Sequence, residues 1–123
     1  MEIVIKKNAE TASRVAAGYV AQLIRNKPNA VLGLATGSTP LPLYRELIRL
    51  HRSESLDFSG ITTFNLDEYV GLSGDHPASY NRFMHENLFA QINVSEDLIH
   101  IPDGTASDIP EHCRAYEEKI KKA

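Results

Sequence analysis

Val31-Leu-Gly-Leu-Ala-Thr-Gly-Ser-Thr-Pro-Leu-Pro-Leu-Tyr44 carries the plainest architectural signal in this 123-residue chain. Its opening, Val31 to Ala35, is an apolar run with the length and content of a strand buried on both faces. The run breaks at Thr36-Gly37-Ser38-Thr39-Pro40 and passes into a helical pattern. Thr39 suits the N-cap, and Pro40 the first helical position, where no backbone donor is needed. A strand, a turn of small residues and a helix start together make an anion site. Free amides and the positive end of the helix dipole converge there, and glycine admits close approach. Neither Gly-x-Gly-x-x-Gly nor Gly-x-x-x-x-Gly-Lys-Ser/Thr is present, so the phosphate of a small metabolite fits better than a dinucleotide or nucleoside triphosphate. An ordinary capped turn between strand and helix is the plainer reading, and a second motif has to decide.

On either side of this stretch the pattern alternates between strand and helix. Glu2 to Lys6 alternates and reads as a first short strand. Asn8 then caps a helix to about Asn26, whose stripe is Ala12, Val15, Ala16, Tyr19, Val20, Leu23 and Ile24, and Lys27-Pro28-Asn29 ends it. The helix after the opening motif runs from Pro40 to about Arg52, burying Leu43, Tyr44, Leu47 and Ile48. A polar connection anchored by Phe58 leads to a β-branched and aromatic strand, Ile61 to Leu66. After a loop through Gly71, Gly74 and Pro77, a helix is expected from about Ala78 to Gln91, then a brief strand from Leu98 to Ile101. A last helix runs from about Pro110 to the end, with Ile109, Cys113, Tyr116 and Ile120 on one side. Four strands alternating with helices predict an α/β, Rossmann-like fold of βαβ units with a mainly parallel sheet. In such a sheet the ligand lies beyond the carboxyl ends of the strands.

Bulk properties narrow the function classes. Length predicts a single α/β domain, residues 1–123, small for a complete two-sided enzyme. Net charge is −3 and the only basic run is Lys119-Ile-Lys-Lys122, which argues against nucleic acid or an anionic membrane as partner. No apolar run spans a membrane, and Met1-Glu2-Ile3 does not begin a signal peptide. Cys113 is the only cysteine, so no internal disulfide forms and a cytoplasmic setting is expected.

The second motif is Phe64-Asn-Leu-Asp-Glu-Tyr-Val-Gly-Leu72, which puts two acids where a buried strand opens toward the predicted rim. Asp67 is expected to be a general base. A carboxylate at a partly desolvated strand end has its pKa raised and is suited to take a proton from carbon or oxygen. Beside a phosphate site this points to proton abstraction from a sugar phosphate. Capping by Asp67 and solvation of Glu68 is the alternative.

With these two motifs, His76-Pro-Ala-Ser-Tyr80 through Phe83-Met84 completes a set that resembles the N-terminal half of the glucosamine-6-phosphate deaminases, over essentially the whole chain. Asn65-Leu-Asp-Glu-Tyr69 is the most specific part, while Thr-Gly-Ser-Thr-Pro is shared with 6-phosphogluconolactonases. The resemblance implies a hydrolytic deaminase and isomerase without metal or cofactor, turning glucosamine 6-phosphate and water into fructose 6-phosphate and ammonia. It implies Asp67 as the proton acceptor working between C2 and C1, and Gly37, Ser38 and Thr39 as part of the phosphate cradle. Tyr80 would line the pocket, with Thr36, Glu68 and Tyr69 in support. A homo-oligomer is implied for the full-length enzyme.

The family's second half carries an acid-and-histidine cluster and cationic residues that complete the phosphate site; this chain stops at Ala123, before them. An N-terminal portion inactive alone is therefore expected, because such groups act as a unit. The alternatives are a 6-phosphogluconolactonase-like hydrolase and a non-catalytic phosphosugar-binding module. Among other residues, His85-Glu86-Asn87-Leu88-Phe89 lacks the second histidine of a zinc helix. His51, His100 and His112 read as isolated surface residues, His76 as part of a turn, and Cys113 as buried filler. Lys119, Lys121 and Lys122 suit a helix C-terminus. A parallel sheet lacking its remaining strands would expose an edge and self-associate.

Overall fold

The computed structural model describes residues 3–123. Asn8 opens helix α1 (Ala9–Asn26), its side chain accepting the Thr11 amide at 2.9 Å. Strand β1 (Val31–Leu34) leads through the 35–40 turn into α2 (Leu41–Glu54). Strand β2 (Thr62–Asn65), helix α3 (Tyr80–Asn87), strand β3 (Ile99–His100) and helix α4 (Ile109–Lys122) follow. The three strands are parallel and lie in chain order, β1 beside β2 beside β3. The α/β architecture with a parallel sheet is as the alternation of patterns predicts.

The core fills one face of the sheet. Ala17, Ala21 and Ile24 of α1 meet Tyr44, Leu47 and Ile48 of α2, with Met84, Leu88 and Phe89 closing the layer from α3 and the turn after it. Helix α4 is held to the sheet through its one buried residue, Tyr116, which meets Phe64 edge-on at 5.7 Å. Val31 is exposed on β1, with a free strand edge beside it.

Several boundaries differ from the sequence expectations. The strand expected at Glu2 to Lys6 is not formed over residues 3–6, and Glu2 lies outside the described residues. Ile3 and Ile5 alternate as a strand should but are 71% and 87% exposed, because no neighbouring strand offers them a ladder. The sheet therefore has three strands among the described residues. Helix α2 starts one residue later than expected. Pro40, not Thr39, is the N-cap, with no capping side chain, and its carbonyl accepts the first helical bond from the Tyr44 amide at 3.0 Å. Ser55, at φ 54°, closes α2 in the left-handed region. Helix α3 is shorter than expected at both ends. Ser79 caps its start, and Leu88 at φ −146° breaks it before a single 3-10 turn, Phe89–Gln91.

Candidate active site

The register of the sheet brings the two sequence motifs to one place. Leu34 pairs with Asn65 in parallel, so the segments that leave β1 and β2 emerge side by side at the carboxyl rim. One is Ala35 to Thr39, the other Leu66 to Tyr69. This rim is where open α/β sheets hold ligands.

Local bonds shape the first segment. The Tyr44 hydroxyl accepts the Ala35 amide at 3.1 Å and donates to the Ala35 carbonyl, tying the end of β1 to the first turn of α2. Burial pushes this phenol up to about 12, against the opposing effect of the Ala35 bond. Gly37 then turns the chain at φ 95°, a conformation a side chain would strain. Among the described residues the amides of Gly37, Ser38 and Thr39 meet no protein acceptor. Pro40 and Pro42 contribute no amides, so the donors at this helix start come mainly from the 37–39 turn.

The second segment is tied down at two points. The Asn65 side chain is buried and donates across to the Leu34 carbonyl at 3.1 Å, while its Oδ1 has no partner among the described residues. The Tyr116 hydroxyl lies 2.7 Å from the Asn65 carbonyl and 2.9 Å from that of His100, joining the ends of β2 and β3 to α4. Burial pushes the Tyr116 phenol up to about 12. Gly104 packs so closely under this loop that a Cβ would fall on the Tyr69 and Leu72 carbonyl oxygens, and its own carbonyl accepts the Gly71 amide at 2.7 Å.

Glu68 is half-buried and not free in solvent. One of its oxygens accepts the amides of Tyr69 at 2.8 Å and Tyr80 at 2.9 Å, and the other accepts that of Asn81 at 2.9 Å. Asp67 is exposed and makes no hydrogen bond or ion pair among the described residues. The partial desolvation expected at this strand end is therefore absent, because Leu66 and Val70 on either side are themselves 88% and 74% exposed.

Tyr80 links the two segments. Its hydroxyl donates to that of Tyr69 at 3.1 Å, with the two rings 4.8 Å apart. That bond, with desolvation, Tyr69 and the nearby negative charge of Asp67, raises the Tyr80 phenol above its ordinary value, and the Thr36 side chain beside it pulls the other way. Thr36, Asp67, Tyr69 and Tyr80 thus share one neighbourhood. The cavity that Asp67 lines opens toward α4. It has a volume of about 260 Å³ and is walled by Leu66, Val70, Ile109, Cys113 and Tyr116. The 37–39 turn is not part of that wall. A larger cavity of about 550 Å³ runs along α2 past Arg45, Arg49 and Arg52, where Glu46 and Glu54 pair with Arg49.

Other residues read from the sequence fall differently. Cys113 is exposed, because Tyr116 is the one residue of α4 that is buried. The histidines are not isolated. His51 bonds the Leu56 carbonyl at 2.7 Å, His112 accepts the Asp103 amide at 2.9 Å, and His100 stacks on Phe64 at 4.5 Å. His76 accepts the Ala78 amide within its turn. Tyr44, Asn65 and Tyr116 were missed as site-shaping residues, since each acts through a polar tip that an apolar or strand pattern hides. Among the described residues no cluster of three or more His, Cys, Asp or Glu could hold a metal, and no helix is long and apolar enough to cross a membrane.

Comparison with known proteins matches residues 6–123 to the family of glucosamine-6-phosphate isomerases and 6-phosphogluconolactonases. A glucosamine-6-phosphate deaminase of Thermoanaerobacter sp. is 53% identical over the whole chain, which spans 49% of that protein. Glucosamine-6-phosphate deaminase 2 of Bacillus subtilis is 49% identical, again over the whole chain and 49% of its own length. The solved structure of a monomeric glucosamine-6-phosphate deaminase superposes with a TM-score of 0.96 at 46% identity, over 99% of this chain and 51% of that one. The chain thus spans about half the length of the curated relatives it matches.

Proposed function

The chain belongs to the family of glucosamine-6-phosphate isomerases and 6-phosphogluconolactonases, and from that premise we propose that it is the N-terminal portion of a cytoplasmic glucosamine-6-phosphate deaminase. In this reading the larger enzyme hydrolytically deaminates and isomerises glucosamine 6-phosphate to fructose 6-phosphate and ammonia, without metal or cofactor. The observation that supports the reading is the parallel register of Leu34 with Asn65, which brings the segments carrying Gly37–Thr39 and Asp67 out at the same rim of the sheet.

The roles follow from the chemistry of each group. The 37–39 amides receive the phosphate, three donors directed at a dianion. Asp67, with no partner among the described residues, is the base that carries a proton between C2 and C1 of the opened sugar. Thr36, Tyr69 and Tyr80 wall the space between phosphate and base. Asp67 is exposed in this chain, so the remaining half of the enzyme is assigned the task of covering it and excluding water. This chain alone is accordingly expected to be inactive. Relatives near 50% identity are named deaminases, which favours this activity over lactone hydrolysis. Oligomeric state is left to the other half; the superposed deaminase is described as monomeric.

The test is a chimera in which residues 1–123 replace the matching half of the Thermoanaerobacter deaminase. It is expected to release ammonia from glucosamine 6-phosphate, to leave 6-phosphogluconolactone untouched, and to lose turnover on Asp67→Asn. Lactone hydrolysis without ammonia, or full activity in the Asp67→Asn chimera, would refute the assignment.

A further inference from the structure

Two acids stand side by side after β2, and the fold treats them in opposite ways. Asp67 is exposed and unpartnered among the described residues. Glu68 accepts three amides, two of them from Tyr80 and Asn81, the first two residues of α3. Those amides are orphans by construction, since a helix start has no preceding turn to bond them. Ser79 takes the next, its Oγ accepting the Arg82 amide at 3.0 Å, and the Phe83 amide begins the regular ladder on the Ser79 carbonyl. The amino end of α3 is therefore filled by a carboxylate from twelve and thirteen residues earlier in the chain. A negative charge at that end also suits the helix dipole.

The clamp has a consequence at the rim. Tyr80 is the first residue of α3, so the bonds that fix its backbone fix the origin of its side chain. From that origin its hydroxyl reaches Tyr69, Thr36 and the neighbourhood of Asp67. Resting on the sugar-phosphate site proposed above, we propose that Glu68 is a positioning residue. By clamping the start of α3 to the segment after β2, it holds Tyr80 over the sugar end of the site and leaves Asp67 as the free acid of the pair.

The geometry requires both carboxylate oxygens. A glutamine in place of Glu68 keeps one acceptor and turns an amide group toward the Asn81 N–H, donor against donor. An aspartate is one methylene short of spanning the gap. Neither change touches the 37–39 turn, so phosphate capture and sugar positioning separate.

The experiment uses the 15N-labelled 123-residue chain, with Glu68→Gln, Glu68→Ala and, as a control, Ser79→Ala. Hydrogen exchange is read amide by amide, and binding is read with two probes, inorganic phosphate and glucosamine 6-phosphate. In Glu68→Ala the Tyr80 and Asn81 amides, and in Glu68→Gln the Asn81 amide, are expected to exchange at least about tenfold faster, while α1 and α2 keep their protection. Glucosamine 6-phosphate should weaken by roughly tenfold and inorganic phosphate by less than about twofold. Ser79→Ala removes a cap of the same helix without releasing Asp67's segment, and should leave the ratio of the two affinities unchanged. Unchanged exchange at Asn81 in Glu68→Gln, or at Tyr80 and Asn81 in Glu68→Ala, would overturn the clamp. Equal weakening of both probes, or the same selective loss in Ser79→Ala, would overturn positioning and leave an ordinary cap. Failure of the unaltered chain to bind either probe would overturn the sugar-phosphate site itself, and the exchange data alone would then decide the clamp.

Discussion

Replacing Tyr44 with phenylalanine isolates the bond pair that holds the turn after β1. The ring stays, and with it the packing against Leu47 and Ile48, because the Tyr44 side chain is fully buried in the α1–α2 layer. What goes is one acceptor for the Ala35 amide at 3.1 Å and one donor to the Ala35 carbonyl. Two backbone groups losing their partner cost about 1–3 kcal/mol, toward the lower end because Ala35 lies on the open edge where water can replace the hydroxyl. With a urea slope of roughly 1–3 kcal/mol per molar for a domain of this size, the midpoint should fall by about 1 M. A second signature comes from pH. The Tyr44 phenol is raised from 10.0 to about 12 in the folded chain. The unfolded chain therefore releases this proton first, and the contribution of Tyr44 is complete below pH 10 and lost as pH climbs toward 12. The gap in stability between wild type and Tyr44→Phe should thus be constant from pH 7 to about 9.5 and shrink above pH 10. Urea titrations of both proteins across that range test it, since every other group is common to the pair. A gap that is absent at neutral pH, or that widens in alkali, would refute the role assigned to Tyr44.

Three further outcomes follow from the same geometry. Tyr116→Ala removes the one buried residue of α4, so it should cost about 3–5 kcal/mol and expose the α4 amides to exchange; protection unchanged along α4 would contradict the docking. Asp67→Asn, at an exposed side chain without partners among the described residues, should leave the melting temperature within about 2 °C, and a large drop would show that Asp67 supports the fold. The free edge of β1 with its exposed Val31, together with the exposed Leu66 and Val70 after β2, should drive self-association that rises with concentration in sedimentation, and a monomer at every concentration would argue against it.

Where the physics is local, the sequence already carried the structure. Asn8 and the Lys27-Pro28-Asn29 stop marked the ends of α1 to within a residue, because caps and breakers are written in neighbouring positions. The face that packs, however, is Ala17, Ala21 and Ile24, while Ala12, Tyr19 and Leu23 of the expected stripe are exposed. The rim was legible for a related reason: an apolar run followed by small or acidic residues marks a strand's carboxyl end, and parallel pairing then sets two such ends abreast. Long-range contacts were not legible. Glu68 finds its partners twelve and thirteen residues away, a distance at which no periodicity operates. The break at Leu88 follows from burial of Leu88 and Phe89 in the core, against a local pattern that favoured more helix. Cys113 sits on an apolar stripe that the fold leaves uncovered, and Ile3 and Ile5 carry a strand's alternation without a neighbour to pair with.

A crystal structure of this chain with glucosamine 6-phosphate would show where a sugar phosphate binds. Phosphate oxygens are expected about 3 Å from the Gly37, Ser38 and Thr39 amides, with the sugar's C1 and C2 turned toward the Asp67 carboxylate. Phosphate seated instead among Arg45, Arg49 and Arg52 on the flank of α2, with nothing at the rim, would contradict the proposed site.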